Sequence, residues 1–189
     1  MGHHSNTLYA AKVAALPRPH NQWPKWILTG GGLGFLKPAP GSWGTLPPAL
    51  AYWVALNFNY EFPEPYRSLA FLAFGLLAGI LLIRFGQWGC AYFQQIDPGQ
   101  IVLDEYAGFA LTVAFLPVPT YFTQGWWHTW LFTAVLYILF RLTDTLKIPP
   151  GRQLEKLPWG WGILLDDVAA GIQANLLARL FIVIAVFYI

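Results

Sequence analysis

Five carboxylates stand in three separate stretches of this sequence, each at the edge of an apolar segment. Asp104 and Glu105 are adjacent, Asp144 stands alone, and Asp166 and Asp167 are adjacent. Carboxylates that converge from different helices suit a hard cation such as Mg²⁺, which takes oxygen ligands and bridges to a substrate phosphate. A metal held in this way polarises a phosphoryl oxygen and activates water. The acids therefore predict a metal-assisted phosphate site.

Two basic residues stand on either side of the isolated acid. Arg141, Asp144 and Lys147 follow one another in steps of three residues. If a helix continues through them, the three side chains project to one broad face. Positively charged side chains stabilise the equatorial oxygens of a phosphoryl group. Arg141 and Lys147 are therefore predicted to bind the substrate phosphate.

A glycine-rich stretch runs from Gly30 to Leu46 and precedes an apolar segment. We expect Thr45 to cap a helix there, with Pro47 and Pro48 in the first turn. The free backbone N–H groups at such a helix start bind anions. No Gly-Lys-Ser/Thr follows at P-loop spacing, so a nucleotide-binding loop is excluded. The residues predicted to contribute to phosphate binding here are Gly41, Ser42, Gly44 and Thr45.

The composition is that of a membrane protein. The 189 residues are 56% hydrophobic and 11% charged, whereas a soluble domain is roughly 25% charged. Ten tryptophans also suit membrane–water interfaces. The net charge of +2 predicts no nucleic-acid partner, and the single Cys90 excludes a disulfide framework. We expect a basic arm at residues 1–26 and one membrane-embedded catalytic domain at residues 27–189.

The apolar pattern predicts an all-α helical bundle with about four to five membrane segments. A full crossing takes roughly 20 residues, so the first and third segments are short. They are expected either to be extended by their polar flanks or to be tilted, interfacial or re-entrant. A further stretch, residues 85–95, is amphipathic and is expected to lie along the surface. The five predicted segments are Leu46–Phe58, Leu69–Ile83, Tyr106–Leu116, Trp126–Leu142 and Val168–Ile189.

Basic residues collect on alternate connections between these segments, which orients the chain because such connections face the cytoplasm. The acids occupy the same side. We therefore expect a cytoplasmic site, with the N-terminus inside. The basic residues that set this orientation are Lys12, Arg18, Lys25 and Lys37 before the first segment, and Lys147, Arg152 and Lys156 after the fourth.

Each feature also has a structural interpretation. Acids that open a helix, as Asp104 and Asp166 are expected to do, are favoured by the helix dipole alone. Asp144 closes a helix, where an acid is disfavoured, and this asymmetry favours a functional cluster. Arg179 lies inside the last apolar segment and shares a helix face with Asn175. An inter-helix link is the expected role of Arg179.

Four motifs follow one another along the chain: PGSWGTL at Pro40–Leu46, VLDEYAG at Val102–Gly108, FRLTDTLKIPP at Phe140–Pro150 and GWGILLDDVAAG at Gly160–Gly171. In this order they resemble the phosphatidylglycerophosphatase A family, whose bacterial enzymes remove the terminal phosphate from phosphatidylglycerophosphate. The resemblance covers about three-quarters of the chain. One departure is visible, because the Lys-Pro of the family becomes Lys147-Ile148-Pro149-Pro150.

The resemblance implies a Mg²⁺-dependent phosphoric monoester hydrolase of phospholipid biosynthesis. It implies a multi-pass protein of the bacterial inner membrane that takes a phospholipid from the cytoplasmic leaflet. The functional residues it implies are Asp104, Glu105, Arg141, Asp144, Lys147, Asp166 and Asp167. The metal is assigned to Asp104, Glu105, Asp144 and Asp167.

Two other functions compete with this prediction. A small ion-coupled transporter would use charges inside the membrane, but the acids gather at one face and no inverted repeat is visible. A catalytically silent scaffold for lipid synthesis would have no need of the intact acid set. The oligomeric state does not follow from the sequence.

Overall fold

The computed structural model describes residues 11–58 and 62–188, and no strand occurs within them. The all-α prediction is confirmed. The first ten residues of the predicted basic arm lie outside the described residues. Two 3₁₀ turns, Leu33–Phe35 and Thr120–Thr123, interrupt the helices. The helices are α1 (Trp23–Leu28), α2 (Pro40–Asn57), α3 (Tyr66–Phe93), α4 (Leu103–Val113), α5 (Trp126–Leu146), α6 (Gly151–Leu154) and α7 (Gly160–Tyr188).

Three of these helices, α3, α5 and α7, are long and apolar enough to cross a membrane. The other two bundle helices are short: α2 has 18 residues and α4 has 11. Exposed leucine, isoleucine and valine side chains cover the outside of the bundle. Such a surface is stable in lipid and would be an aggregation surface in water. The short first and third segments predicted from the sequence are α2 and α4.

Three predicted boundaries are wrong. Residues 85–93 continue α3 and do not form a separate surface helix. Helix α2 begins at Pro40, so Thr45 lies inside it and caps nothing. Helix α7 begins at Gly160, so Asp166 and Asp167 lie in its second turn. In the second and third cases the sequence shows a glycine-rich run, which is a poor helix former in isolation, and tertiary packing overrides that preference.

Glycines fix how closely α4 and α7 approach. A Cβ atom on Gly171 would overlap the backbone carbonyl of Gly108, and one on Gly108 would lie 2.8 Å from the carbonyl oxygen of Asp167. Small residues of this kind let membrane helices pack backbone to backbone. Asp104 precedes Gly108 by four residues, and Asp167 precedes Gly171 by four. The same contact therefore brings both aspartates to one level of the bundle.

At the other end of the bundle, polar side chains of α7 satisfy the end of α4. The Asn175 side chain donates to the carbonyl oxygens of Leu111, Thr112 and Ala114 at 2.9–3.1 Å. Arg179 donates to the Asn175 side chain. It also reaches the carbonyl of Phe115 at 2.6 Å. Arg179 is thus an inter-helix link, as predicted, and serves carbonyls that α4 leaves unbonded where it stops.

Candidate active site

One cavity of about 260 Å³ collects the predicted charged residues at a single end of the bundle. Its walls come from the starts of α2, α4 and α7, the end of α5, and the connection between α3 and α4. Helices α2, α4 and α7 therefore run away from the cavity, and α3 and α5 run towards it. The charged residues that line it are Asp97, Asp104, Glu105, Arg141, Asp144, Lys147, Asp166 and Asp167.

Two aspartates each present a carboxylate oxygen that receives no hydrogen bond from the described residues. The two atoms, Asp104 Oδ1 and Asp167 Oδ2, are fully buried. They lie on the two helices that the glycine contact holds together. A buried, unpaired carboxylate oxygen costs free energy. Each oxygen therefore lacks the hydrogen-bond donor or cation that a buried carboxylate requires.

Arg141 lines the same cavity and pairs with two carboxylates. Its Nη1 donates to Glu105 Oε2 and pairs with Asp144 Oδ2 at 3.0 Å. Thr45 Oγ1 also donates to Glu105 Oε2, at 3.0 Å. The Arg141 side chain keeps 19% of its surface exposed. Both carboxylates contact Nη1, and the planar guanidinium has further N–H donors that can bind a phosphate.

Lys147 ends α5 and pairs with two further acids. Its Nζ lies 2.9 Å from Asp166 Oδ2 and 3.1 Å from Glu155 Oε1. Burial alone would lower the pKa of Lys147, but the hydrogen bonds and charges of Asp166 and Glu155 outweigh it and raise that pKa. The ammonium is thus fully charged at neutral pH, beside the cavity.

Burial disfavours the charged form of the two acids at the start of α4. Burial, and then the charge of Glu105, raises the pKa of Asp104 well above its usual range. Burial raises the pKa of Glu105 to about 7, although the nearby guanidinium of Arg141 opposes the shift. Carboxylates crowded in this way are stabilised in their charged form by a cation.

Helix α2 approaches this cluster through Gly41, which lines the cavity. A Cβ atom here would overlap Glu105 Oε1 and lie 2.9 Å from Arg141 Nη2. Pro40 occupies the first turn of α2 and has no N–H, so the first free backbone donors are those of Gly41 and Ser42. Glycine is therefore required where the helix start meets the ion pair.

A model of the phosphatidylglycerophosphatase A family matches residues 26–182. The chain belongs to this family. The phosphatidylglycerophosphatase A of Haemophilus influenzae is 34% identical to it over 78% of this chain and 82% of its own. That of Escherichia coli is 28% identical, over 80% and 78%. A Bacteroides thetaiotaomicron protein, whose name gives phosphatidylinositol-3-phosphatase as its proposed activity, is 31% identical, over 82% and 90%. No solved structure matches the chain.

Membership of the phosphatidylglycerophosphatase A family confirms the predicted class, a phosphoric monoester hydrolase, in a protein whose helices can span a membrane. It disfavours the transporter and the silent scaffold. The family motifs are also the segments that build the cavity: each of the four supplies at least one lining residue. The departure at Lys147 to Pro150 leaves Lys147 on the cavity wall.

Three of the predicted phosphate-binding residues do not line the cavity. Gly44 packs against Val102, where a Cβ would lie 2.5 Å from the valine Cβ. The Ser42 carbonyl accepts a hydrogen bond from Tyr137 at 3.0 Å. Thr45 acts through Glu105. Of the four, Gly41 alone reaches the cavity, because α2 begins six residues earlier than predicted.

Two acidic residues near the cavity were missed from the sequence. Asp97 lies on the α3–α4 connection and lines the cavity, and Glu155 pairs with Lys147 from beyond α6. Asp97 could have been found from the sequence, because it begins a turn-forming Asp-Pro-Gly seven residues before Asp104. Glu155 stands in a polar connection, where an acid carries no positional signal.

The family implies a metal ion, and the residues fit one of the hard type. The donors are carboxylate oxygens, two of them buried and unpaired, which suits Mg²⁺ or a similar cation. Across the described residues, no three His, Cys, Asp or Glu side chains form a complete metal site. Mg²⁺ commonly binds one or two carboxylates and completes its shell with water and substrate phosphate.

Proposed function

We propose that this chain hydrolyses the terminal phosphate of phosphatidylglycerophosphate to give phosphatidylglycerol and inorganic phosphate in phospholipid biosynthesis. One observation carries the chemistry: the unpaired oxygens of Asp104 and Asp167 share a cavity with Arg141 and Lys147. Carboxylate oxygens that can bind a cation and basic side chains that can bind a phosphate therefore line the same cavity. Family membership and two relatives of that name support the substrate.

The basic wall binds the phosphate in this proposal. Arg141 donates to two phosphate oxygens, and Glu105 and Asp144 hold its guanidinium in place. Lys147 supplies a second positive charge. The backbone N–H group of Gly41, at the start of α2, adds a donor for the same anion.

The acidic wall supplies the cation site and the base. Asp104 and Asp167 would hold the Mg²⁺, while Glu105 and Asp144 pair with Arg141. When bound, the metal would polarise the phosphoryl oxygen and lower the pKa of a water molecule. Asp166, kept in place by Lys147, accepts the proton of the water molecule that attacks phosphorus. The P–O bond to the glycerol breaks, and the glycerol oxygen takes up a proton.

Phosphate release from the purified protein tests this function. We expect release from phosphatidylglycerophosphate in the presence of Mg²⁺, and loss of release when a chelator removes the metal. Phosphatidylinositol 3-phosphate is the comparison substrate, because one relative carries that activity in its name. Release from the inositol lipid alone would replace the proposed substrate. Release from neither lipid would contradict the proposal.

We further propose that the protein lies in the bacterial inner membrane with its site at the cytoplasmic leaflet. The support is the charge pattern: Lys147, Arg152 and Lys156 stand at the cavity end. The connection at residues 117–125, at the opposite end, carries no charge. Basic connections on short loops stay in the cytoplasm.

Thiol labelling in intact cells measures this orientation. Gln153 lies at the cavity end and Gln124 at the opposite end, and both are exposed. The native Cys90 is buried and does not interfere. With an impermeant reagent, we expect Gln124→Cys to react and Gln153→Cys to react only after the cells are opened. Labelling of position 153 in intact cells would reverse the orientation and move the site to the outer face.

A further inference from the structure

An apolar groove of about 190 Å³ runs between α2 and α5 on the outside of the bundle. Leu46, Leu50 and Trp53 line it from α2. From α5 it is lined by side chains that include Trp130, Ala134 and Tyr137. Its polar lining is confined to one threonine hydroxyl, the Tyr137 hydroxyl and indole N–H groups. The groove is built for an apolar occupant.

The groove opens sideways, towards the lipid. Leu50 is 50% exposed and Trp130 is 44% exposed, and both stand at its edge. Helix α5 is long and apolar enough to span a membrane. An occupant can therefore enter from the bilayer without crossing the water interface.

The groove leads to the active-site cavity along one face of α5. Trp130, Ala134, Tyr137 and Arg141 are spaced at i, i+4, i+7 and i+11, which keeps them on a single helix face. Tyr137 is the last groove residue, and Arg141, one turn further, lines the cavity. The guanidinium thus stands at the end of an apolar track.

Helix α2 shows the same order from the other side. Gly41 lines the cavity, and Leu46, little more than one turn later, begins the groove. Between them the Tyr137 hydroxyl donates to the Ser42 carbonyl at 3.0 Å and links the two helices. On α5 the groove and the cavity thus follow each other along one helix face, and on α2 the groove begins five residues after Gly41, with the Tyr137–Ser42 hydrogen bond between the two helices.

A larger apolar groove, of about 360 Å³, lies between α3, α4 and α7. It contains no residue of α5, the helix that carries Arg141. Leu164, which lines this groove, belongs to the same buried apolar cluster as Leu103 and Ile163. Bulk lipid can fill this second groove, but its lining does not lead to Arg141.

We infer that the α2–α5 groove binds an acyl chain of the lipid substrate while the phosphate lies at Arg141. This inference rests on the proposed function. An anionic head beside an apolar tail is the one substrate chemistry that matches a cationic site joined to an apolar track. The groove then selects a membrane lipid over a water-soluble phosphate monoester, because burying the chain adds binding energy that a soluble ester lacks.

Filling the groove tests this assignment. Ala134→Phe adds a ring to its wall, and Leu131→Phe, three residues earlier, adds one on the neighbouring lipid-facing surface, where Leu131 is 43% exposed and lines no part of the groove. Two substrates with the same headgroup are compared, one with long acyl chains and one short-chain and water-soluble. We expect Ala134→Phe to raise KM for the long-chain lipid about tenfold. Its kcat, and its KM for the short-chain substrate, should stay near wild type.

Leu131→Phe should behave as wild type with both substrates. An equal loss on both substrates in Ala134→Phe, or no change in KM on either, would overturn the groove assignment. Failure of the wild type to release phosphate from either substrate is a different result and contradicts the proposed function instead.

A photoreactive group in the acyl chain gives a second measurement that needs no variant. A long-chain substrate analogue that carries a diazirine near the chain end should crosslink to peptides of α2 and α5. A competing excess of unlabelled substrate should suppress those crosslinks. Crosslinks confined to α3, α4 and α7 would overturn the inference, even if Ala134→Phe fails to fold.

Discussion

Asp104→Asn and Asp167→Asn are each expected to lower kcat/KM for phosphate release by about two to three orders of magnitude. The amide keeps the shape of each side chain but replaces one carboxylate oxygen by a donor and removes the charge. Both residues present a buried oxygen without a partner, so each change removes a ligand position and leaves the surrounding contacts intact. The proposed cation would then bind through one carboxylate fewer.

The same substitutions should not weaken the metal-free fold. Each removes a buried negative charge from a crowded acidic cluster, which relieves repulsion. We therefore expect the melting temperature without metal to equal or exceed that of wild type. The rise in melting temperature on adding Mg²⁺ should shrink, because that rise follows metal affinity.

Glu155→Gln is the matched control. It removes the same charge near the cavity, but its carboxylate is 41% exposed and does not line the cavity. Exposed pairs contribute little, so phosphate release should change only a few-fold. Normal activity in both aspartate variants, together with a full Mg²⁺-dependent rise in melting temperature, would show that these acids serve the fold alone.

The sequence predicted the acid cluster correctly because apolar segments limit where charge can stand. A chain with 11% charged residues has few positions for carboxylates, and those it keeps lie at segment ends or in a site. Asp104, Asp144 and Asp167 come from three helices and meet in one cavity. Their clustering could be predicted without knowing how the helices pack, because each acid stands at the segment end that lies on the same side of the membrane.

Helix starts were predicted less well than the acid cluster. The error at α7 affects whether the helix dipole can account for Asp166 and Asp167. Asp166 and Asp167 were expected at a helix start, where the dipole alone would favour them. They lie six and seven residues after Gly160, the first residue of α7. The dipole effect fades within the first turn, so it does not account for these acids.

Glycines explain why those starts were missed. Gly160 packs against Leu82 and Ile83 of α3, and a Cβ there would lie 2.5 Å from the carbonyl oxygen of Leu82. Gly41 makes a similarly close approach to Glu105. From the sequence both glycines indicate a turn, whereas in the structure they are helical residues at helix crossings. Only the three-dimensional contact distinguishes the two uses.

Arg141→Lys is expected to lower kcat/KM by about two orders of magnitude, although the charge is conserved. The guanidinium pairs with Glu105 and Asp144 while keeping donors for the phosphate. An ammonium is a point charge with no planar fork, so it cannot hold both carboxylates and present two parallel donors to a phosphate.

Arg152→Lys is the matched control: Arg152 is exposed and makes one long hydrogen bond to the Leu146 carbonyl, at 3.4 Å. That variant should retain near-normal kinetics. We would measure kcat and KM for both variants, with melting temperature as the check on folding. Near-normal activity of Arg141→Lys would show that Arg141 does not bind the phosphate and serves only to neutralise Glu105 and Asp144.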